Sequence, residues 1–319
     1  MRTRTLPVCL LILGLGHGQS EAQSVNPPDR KQIVASRVSA GAVRIDGRLD
    51  EEIWLTAIPA TDFTQSEPDE GVAPTDPLEV RFVFDDDALI VGARMSSADP
   101  ASIQAPMSRR DEGIDQAEHI LVSLDTYLDR RTAYTFGVTA AGVRFDHFHA
   151  SDNRSSRDRS FDPVWEARVA TDAGGWTAEL RIPFQQLRFN ANGEQVFGLN
   201  IYRAIPSRNE QVYWSLVRRT DRVWASRFGE LRGIGGLTPS RRIELLPYTA
   251  GSSRLGGEVD DDDPFAGSDT QARVGGDVKV GVGPNLTVEA TVNPDFGQVE
   301  ADPAEVNLSA FETFFSERR

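Results

Sequence analysis

The chain has 319 residues, 39% hydrophobic and 26% charged, so it can bury a core in one large or two modest domains and is too apolar for wholesale disorder. Its formal charge of −14 speaks against a nucleic-acid partner held by phosphate contacts. Its mean hydropathy of −0.36 speaks against a helical membrane protein.

Residues 1–23 read as an export signal. Arg2 and Arg4 supply a positive start, residues 6–15 a short apolar run, and residues 16–23 a small and polar stretch suited to cleavage. The apolar run is about half of the roughly 20 residues that a spanning helix needs. Cys9 is the only cysteine and leaves with this segment, so the remainder has no disulfide framework and no cysteine metal site. The expected destination is the periplasm, outer membrane or cell surface of a Gram-negative bacterium. Residues 24–32 read as a flexible leader.

From residue 33 onward the pattern is one of short strands bounded by turns. Leu78, Val80, Phe82 and Phe84 alternate with polar residues, Asp85-Asp86-Asp87 turns the chain, and Leu89, Val91, Ala93 and Met95 continue. Further strands are carried by Ile120, Val122 and Leu124, by Tyr134, Phe136 and Val138, and by residues 143–149. Others follow at Trp165, Ala167 and Val169, at Trp176, Ala178, Leu180 and Ile182, at Phe197, Leu199 and Ile201, and at Val212, Trp214 and Leu216. Period two places one apolar face on each. Strands at this spacing, with no amphipathic helix between them, predict an all-β fold: an antiparallel β-sandwich, jelly-roll or immunoglobulin-like, over 33–237.

Thr238-Pro239-Ser240 opens a second region, 238–319. Residues 243–251 form a strand, 255–267 a Gly- and Asp-rich loop, and 273–292 a hairpin. In the hairpin Val274, Val278, Val280 and Val282 oppose Asp277 and Lys279, and Leu286, Val288, Ala290 and Val292 oppose Thr287, Glu289 and Thr291. Such a pair cannot stand alone in water. It reads as the first strands of a truncated β-barrel, and the chain as a fragment of a longer protein.

Four stretches resemble known families. Residues 43–54 (VRIDGRLDEEIW), with Asp46-Gly47 and Trp54, and residues 176–184 (WTAELRIPF), ending in Pro183-Phe184, resemble the family 9 carbohydrate-binding modules, a β-sandwich family often attached to xylan-degrading enzymes. Residues 291–303 (TVNPDFGQVEADP) and 306–315 (VNLSAFETFF) look like the junction between such a module and an outer-membrane β-barrel in bacterial surface proteins of undefined function. Such relatives continue through a long barrel, which this chain lacks. The resemblance implies a carbohydrate ligand, an association with carbohydrate catabolism, and the outer membrane as partner of the full-length protein. It also implies two facing tryptophans that clamp a sugar end, but the local sequence around that clamp does not match here.

Sugar binding needs flat aromatic platforms flanked by polar groups. Of the five tryptophans, Trp54 and Trp176 read as core and Trp165 as ambiguous. Trp214 and Trp224 are the platform candidates, because they flank a loop whose Arg218 and Arg222 could bind hydroxyls. Any of these rings could equally fill a core. Calcium needs roughly six to eight oxygens. Asp111, Asp115 and Asp125 are candidate ligands of a structural calcium, while the Asp260–Asp263 run reads as solvated acid. His147 and His149 lie two apart on one strand face, which a polar sheet surface explains better than zinc.

No catalytic residue is assigned. The chain has no nucleophile elbow, phosphate-gripping loop or zinc-protease motif, and its 48 acidic residues make carboxylate pairs inevitable. Three functions remain open: a surface carbohydrate-binding module linked to an outer-membrane barrel, a cap or gate on that barrel without sugar binding, and a hydrolase acting on glycosidic bonds.

Overall fold

The computed structural model describes residues 30–190, 193–237, 243–254, 269–282 and 286–293. The export signal, residues 24–29 of the leader, the Asp260–Asp263 run and the junction segment from Pro294 onward lie outside them. Among the described residues there is one short α-helix, α1 (Glu52–Thr56), and seventeen strands. In chain order these are β1 (Gln32–Val34), β2 (Ser36–Arg37), β3 (Thr64–Glu67), β4 (Leu78–Phe84), β5 (Ala88–Ser96), β6 (His119–Asp125), β7 (Ala133–Thr139), β8 (Arg144–His149) and β9 (Arg157–Asp158). They continue with β10 (Glu166–Asp172), β11 (Gly175–Pro183), β12 (Gln195–Ile205), β13 (Glu210–Tyr213), β14 (Gly229–Ile234), β15 (Ile243–Arg254), β16 (Asp269–Val282) and β17 (Leu286–Val292).

The strands form two facing sheets. The larger runs β1-β14-β12-β6-β7-β8-β9, with β13 added to β12 and β3 to β13; the smaller runs β10-β11-β5-β4-β2. Alternation decides the core. Phe82, Val91, Ala178 and Leu180 of the smaller sheet meet Val122, Phe136, Leu199 and Ile201 of the larger in one apolar cluster. Burying each large side chain contributes about 1.5–3 kcal/mol. This is the expected β-sandwich. One expected strand ends early: β13 stops at Tyr213, and the backbone turns at Trp214.

Two polar features fasten the sandwich. Glu118 and Arg203 form an ion pair 2.6 Å apart, with side chains 2% and 1% exposed. Trp176 Nε1 donates to Glu118 Oε1 at 2.8 Å and Arg203 donates to the Ser96 carbonyl at 2.9 Å, so the pair joins β12 to β11 and β5. The second fastening joins the two motifs that carried the module resemblance. Glu179, on the outer face of β11, accepts hydrogen bonds from the Asp46 N–H (2.9 Å), the Gly47 N–H (2.8 Å) and Trp54 Nε1 (3.1 Å). Trp54, on α1, then packs with Val43, Ala57, Val83 and Ile90 over that face. Gly47 has φ +90, and a Cβ there would lie 2.5 Å from the Val169 carbonyl carbon, so the turn admits glycine alone.

β15, β16 and β17 form a separate antiparallel sheet, and no closed barrel exists among the described residues. The register aligns Ile243, Val280 and Val288, then Leu245, Val278 and Ala290, on one face. Glu244, Lys279 and Glu289 align on the other. Ile243, Leu245, Val274, Val288 and Val292 are exposed.

Candidate functional site

The outer face of the larger sheet is polar yet buried. The register aligns Asn200 of β12, Ser123 of β6, Thr135 of β7 and His147 of β8 in one row across four strands. Their chain neighbours Ile201, Val122 and Phe136 point into the core, so period two sends this row outward. Ser123 and Thr135 hydroxyls lie 2.9 Å apart. Asn200 holds the segment after β13 through the Ser215 carbonyl (2.8 Å) and the Ser215 N–H (2.9 Å). In the adjacent row Leu121 lies over Gly137, where a Cβ would come within 2.1 Å of Leu121 Cδ2. Glycine therefore leaves room for the floor of the site.

Aromatic residues build one wall. Tyr213, Val217, Trp224, Ala225 and Phe228 cluster with Ala133, outside the main core. The Asp152 carboxylate fixes Trp224 by accepting its backbone N–H at 2.7 Å. The Trp224 ring lies 4.0 Å from that of His149, and the Tyr202 and Tyr213 rings lie 4.9 Å apart. Arg154 donates to the Tyr213 hydroxyl at 3.1 Å. These groups, with His119, Arg157, Gln211, Ile114 and Asp115, enclose a cavity of about 200 Å³. Drug-sized ligands occupy roughly 300–1,000 Å³, so the cavity suits a single small unit.

Burial holds all three histidines neutral. It pushes His119 and His149 down to about 4 and His147 down to about 3; His149, Arg157 and Arg159 add to the effect at His147. Nδ1 of His119 lies 2.8 Å from the Ala117 carbonyl, and Nδ1 of His149 lies 3.2 Å from that of Asn153. A carbonyl can only accept, so each Nδ1 carries the proton and each Nε2 offers a lone pair. Nε2 of His149, in a side chain with 0% exposure, has no hydrogen-bond partner. The cavity thus presents neutral acceptors, hydroxyl and amide groups, two guanidiniums and aromatic rings.

The expected site residues divide. Trp224 lines the cavity at 6% exposure. Trp165, ambiguous from sequence, and Trp214, expected as a platform, are both 3% exposed in the core between the sheets and do not line the cavity, which corrects the platform reading of Trp214 and settles Trp165 as core. Trp165 instead donates to Asp146 at 2.8 Å and packs edge-on against Phe136. Arg218 and Arg222 are exposed on the loop before Trp224, outside the cavity; the Arg218 N–H is held by Asp221 at 3.0 Å. Among the described residues no three His, Cys, Asp or Glu side chains group to hold a metal, which corrects the calcium grouping of Asp111, Asp115 and Asp125. Asp111 accepts the Asp146 N–H (2.9 Å), Asp125 accepts the Asp129 and Arg130 N–H groups (3.1 and 2.7 Å), and Asp115 sits at the cavity rim. His147 and His149 do share a polar sheet face. Sequence reasoning missed His119, Asn200, Tyr202, Tyr213, Arg154 and Arg157; the available signal was polar residues recurring at alternate positions of central strands.

Residues 239–319 match a family described as a domain of unknown function (DUF5916). No curated protein matches the chain. The structure is similar to that of a family 9 carbohydrate-binding module from Caldicellulosiruptor kristjanssonii in complex with glucose, at TM-score 0.47 and 18% identity, covering 66% of this chain and 97% of the module. A cellotriose complex of a family 9 module from the same organism gives TM-score 0.45 and 16% identity, covering 65% and 95%.

Proposed function

We propose that the sandwich is a carbohydrate-binding module whose ligand seats in the cavity on the outer face of the larger sheet. The observation that carries this reading is the donor and acceptor set around about 200 Å³, in which Asn200, His147, Arg154 and Arg157 stand with the Tyr202 and Trp224 rings. A sugar hydroxyl donates to a neutral imidazole, accepts from an amide or guanidinium, and leaves its C–H face to an aromatic ring. Hydrolysis is less well served. Asp115 is the only carboxylate among the described residues lining the cavity, whereas a glycosidase uses two carboxylates about 5–10 Å apart. Calorimetric titration of the full chain with monosaccharides, xylan and cello-oligosaccharides tests the reading. Heats that saturate at one site per chain, with quenching of tryptophan emission, support it; flat heats across the panel overturn it.

A second reading concerns β15–β17. We propose that this sheet belongs to an outer-membrane β-barrel, so that the protein is exported and displays its sandwich at the membrane. The exposed apolar face around Ile243, Leu245 and Val288, with Glu244, Lys279 and Glu289 opposite, is the alternation of a lipid-facing strand. β15 and β16 have 12 and 14 residues, against the 9–11 that a tilted strand needs to span. Cell fractionation after expression from the complete gene decides: recovery in the outer membrane supports this reading, and recovery only as soluble periplasmic protein removes it.

A further inference from the structure

Two guanidiniums at the mouth of the cavity lack an acidic counterpart. Arg154 donates to the neutral Tyr213 hydroxyl, and Arg157 lines the cavity from β9. Among the described residues neither has a carboxylate within ion-pairing distance. Other arginines of the sandwich do find carboxylates: Arg110 pairs with Asp146, Arg130 with Glu230 and Arg181 with Asp85. Two acids stand near the mouth without pairing with either guanidinium: Asp115 is exposed on the rim, and Glu67, which accepts from Gln211 Nε2 at 3.1 Å and keeps its charge, acts on Arg154 from beyond ion-pairing distance. The three neutral histidines carry no charge of either sign and leave the guanidinium field intact.

We infer that the ligand of this cavity carries a carboxylate: an acidic saccharide whose terminal hexuronic-acid unit places its anionic group between Arg154 and Arg157 and its hydroxyls against the imidazoles and Asn200. This rests on the carbohydrate reading and narrows it. A planar carboxylate matches the guanidinium fork, and its charge-assisted hydrogen bonds are about twice as strong as neutral ones. The small cavity admits one ring, so recognition falls on a chain end.

The test is calorimetric titration of the full chain with glucose, galactose, glucuronate, galacturonate, acetate and inorganic phosphate, repeated for Arg157→Gln and Arg154→Gln. Circular dichroism confirms that each variant is folded. Uronates binding about tenfold or more tightly than their neutral parents, with Arg157→Gln and Arg154→Gln each lowering affinity for the uronate by a larger factor than for its neutral parent, is the expected result. Equal affinity for uronate and parent sugar overturns the acidic assignment and leaves the carbohydrate reading standing. Acetate or phosphate matching the uronates, with no response to neutral sugars, overturns both by showing a plain anion site. No heat with any compound also overturns both.

Discussion

Removing Arg203 exposes how the two sheets are joined. Arg203→Met keeps length and apolar volume but leaves the Glu118 carboxylate, 2% exposed, with Trp176 Nε1 as its remaining partner in that trio, and leaves the Ser96 carbonyl without the guanidinium. Stranding one member of a buried pair costs about 3–5 kcal/mol. A domain is stable by only about 5–15 kcal/mol, so this substitution removes about a fifth or more of the total. With a urea slope of about 3 kcal/mol per molar, the unfolding midpoint falls by roughly 1–1.7 M. The double variant Arg203→Met/Glu118→Leu has no stranded charge; Trp176 Nε1 and the Ser96, Asp76 and Pro77 carbonyls each lose a partner. Its midpoint should recover much of the loss, because replacing both members by apolar groups is often close to neutral. Urea unfolding followed by tryptophan fluorescence reads both. A single variant that loses less than about 1 kcal/mol, or a double variant at least as unstable as the single, would refute the reasoning that desolvation of an unpaired charge dominates here.

Glu179 should make stability fall with rising pH. Burial pushes its carboxyl from 4.5 up to about 7 despite three donors, so the folded state holds the proton more tightly. Its contribution, about 3 kcal/mol, is complete below pH ~4.5 and lost as pH rises through 7. Comparing wild type with Glu179→Gln by thermal unfolding at pH 5 and 8 isolates this slope; an identical pH dependence in both proteins contradicts it. His119, His147 and His149 act in the opposite sense, since their folded values lie below 6.5: stability is present above that pH and is lost as pH falls towards 4. Histidine NMR titration should show all three still neutral at pH 5.5. Gly47→Ala drives a Cβ into the Val169 backbone at a positive φ and should cost about 1–3 kcal/mol by overpacking and strain, read as a lower melting temperature. Trp224→Ala should abolish binding of any cavity ligand, whereas Trp54→Phe, on the other sheet's outer face, should lower stability and leave affinity unchanged.

Alternation and turns in the sequence determined the sandwich: Leu78–Phe84 and the residues after Asp85-Asp86-Asp87 needed only the two-residue period to become β4 and β5. The same local rule told which residues share a face, and so paired His147 with His149. It could not tell which strands lie side by side. The row Asn200-Ser123-Thr135-His147 exists only because β12, β6, β7 and β8 are neighbours in that order and register, set by contacts far apart in the chain. The same limit misread the tryptophans. Trp165 and Trp214 stand beside polar and charged residues in sequence, yet each ring turns into the space between two sheets, while Trp224 reaches the cavity because Asp152, remote in sequence, captures its backbone. Likewise both module-like motifs were visible as words, but the carboxylate of Glu179 that binds one to the other became legible only when the chain brought them within hydrogen-bond distance.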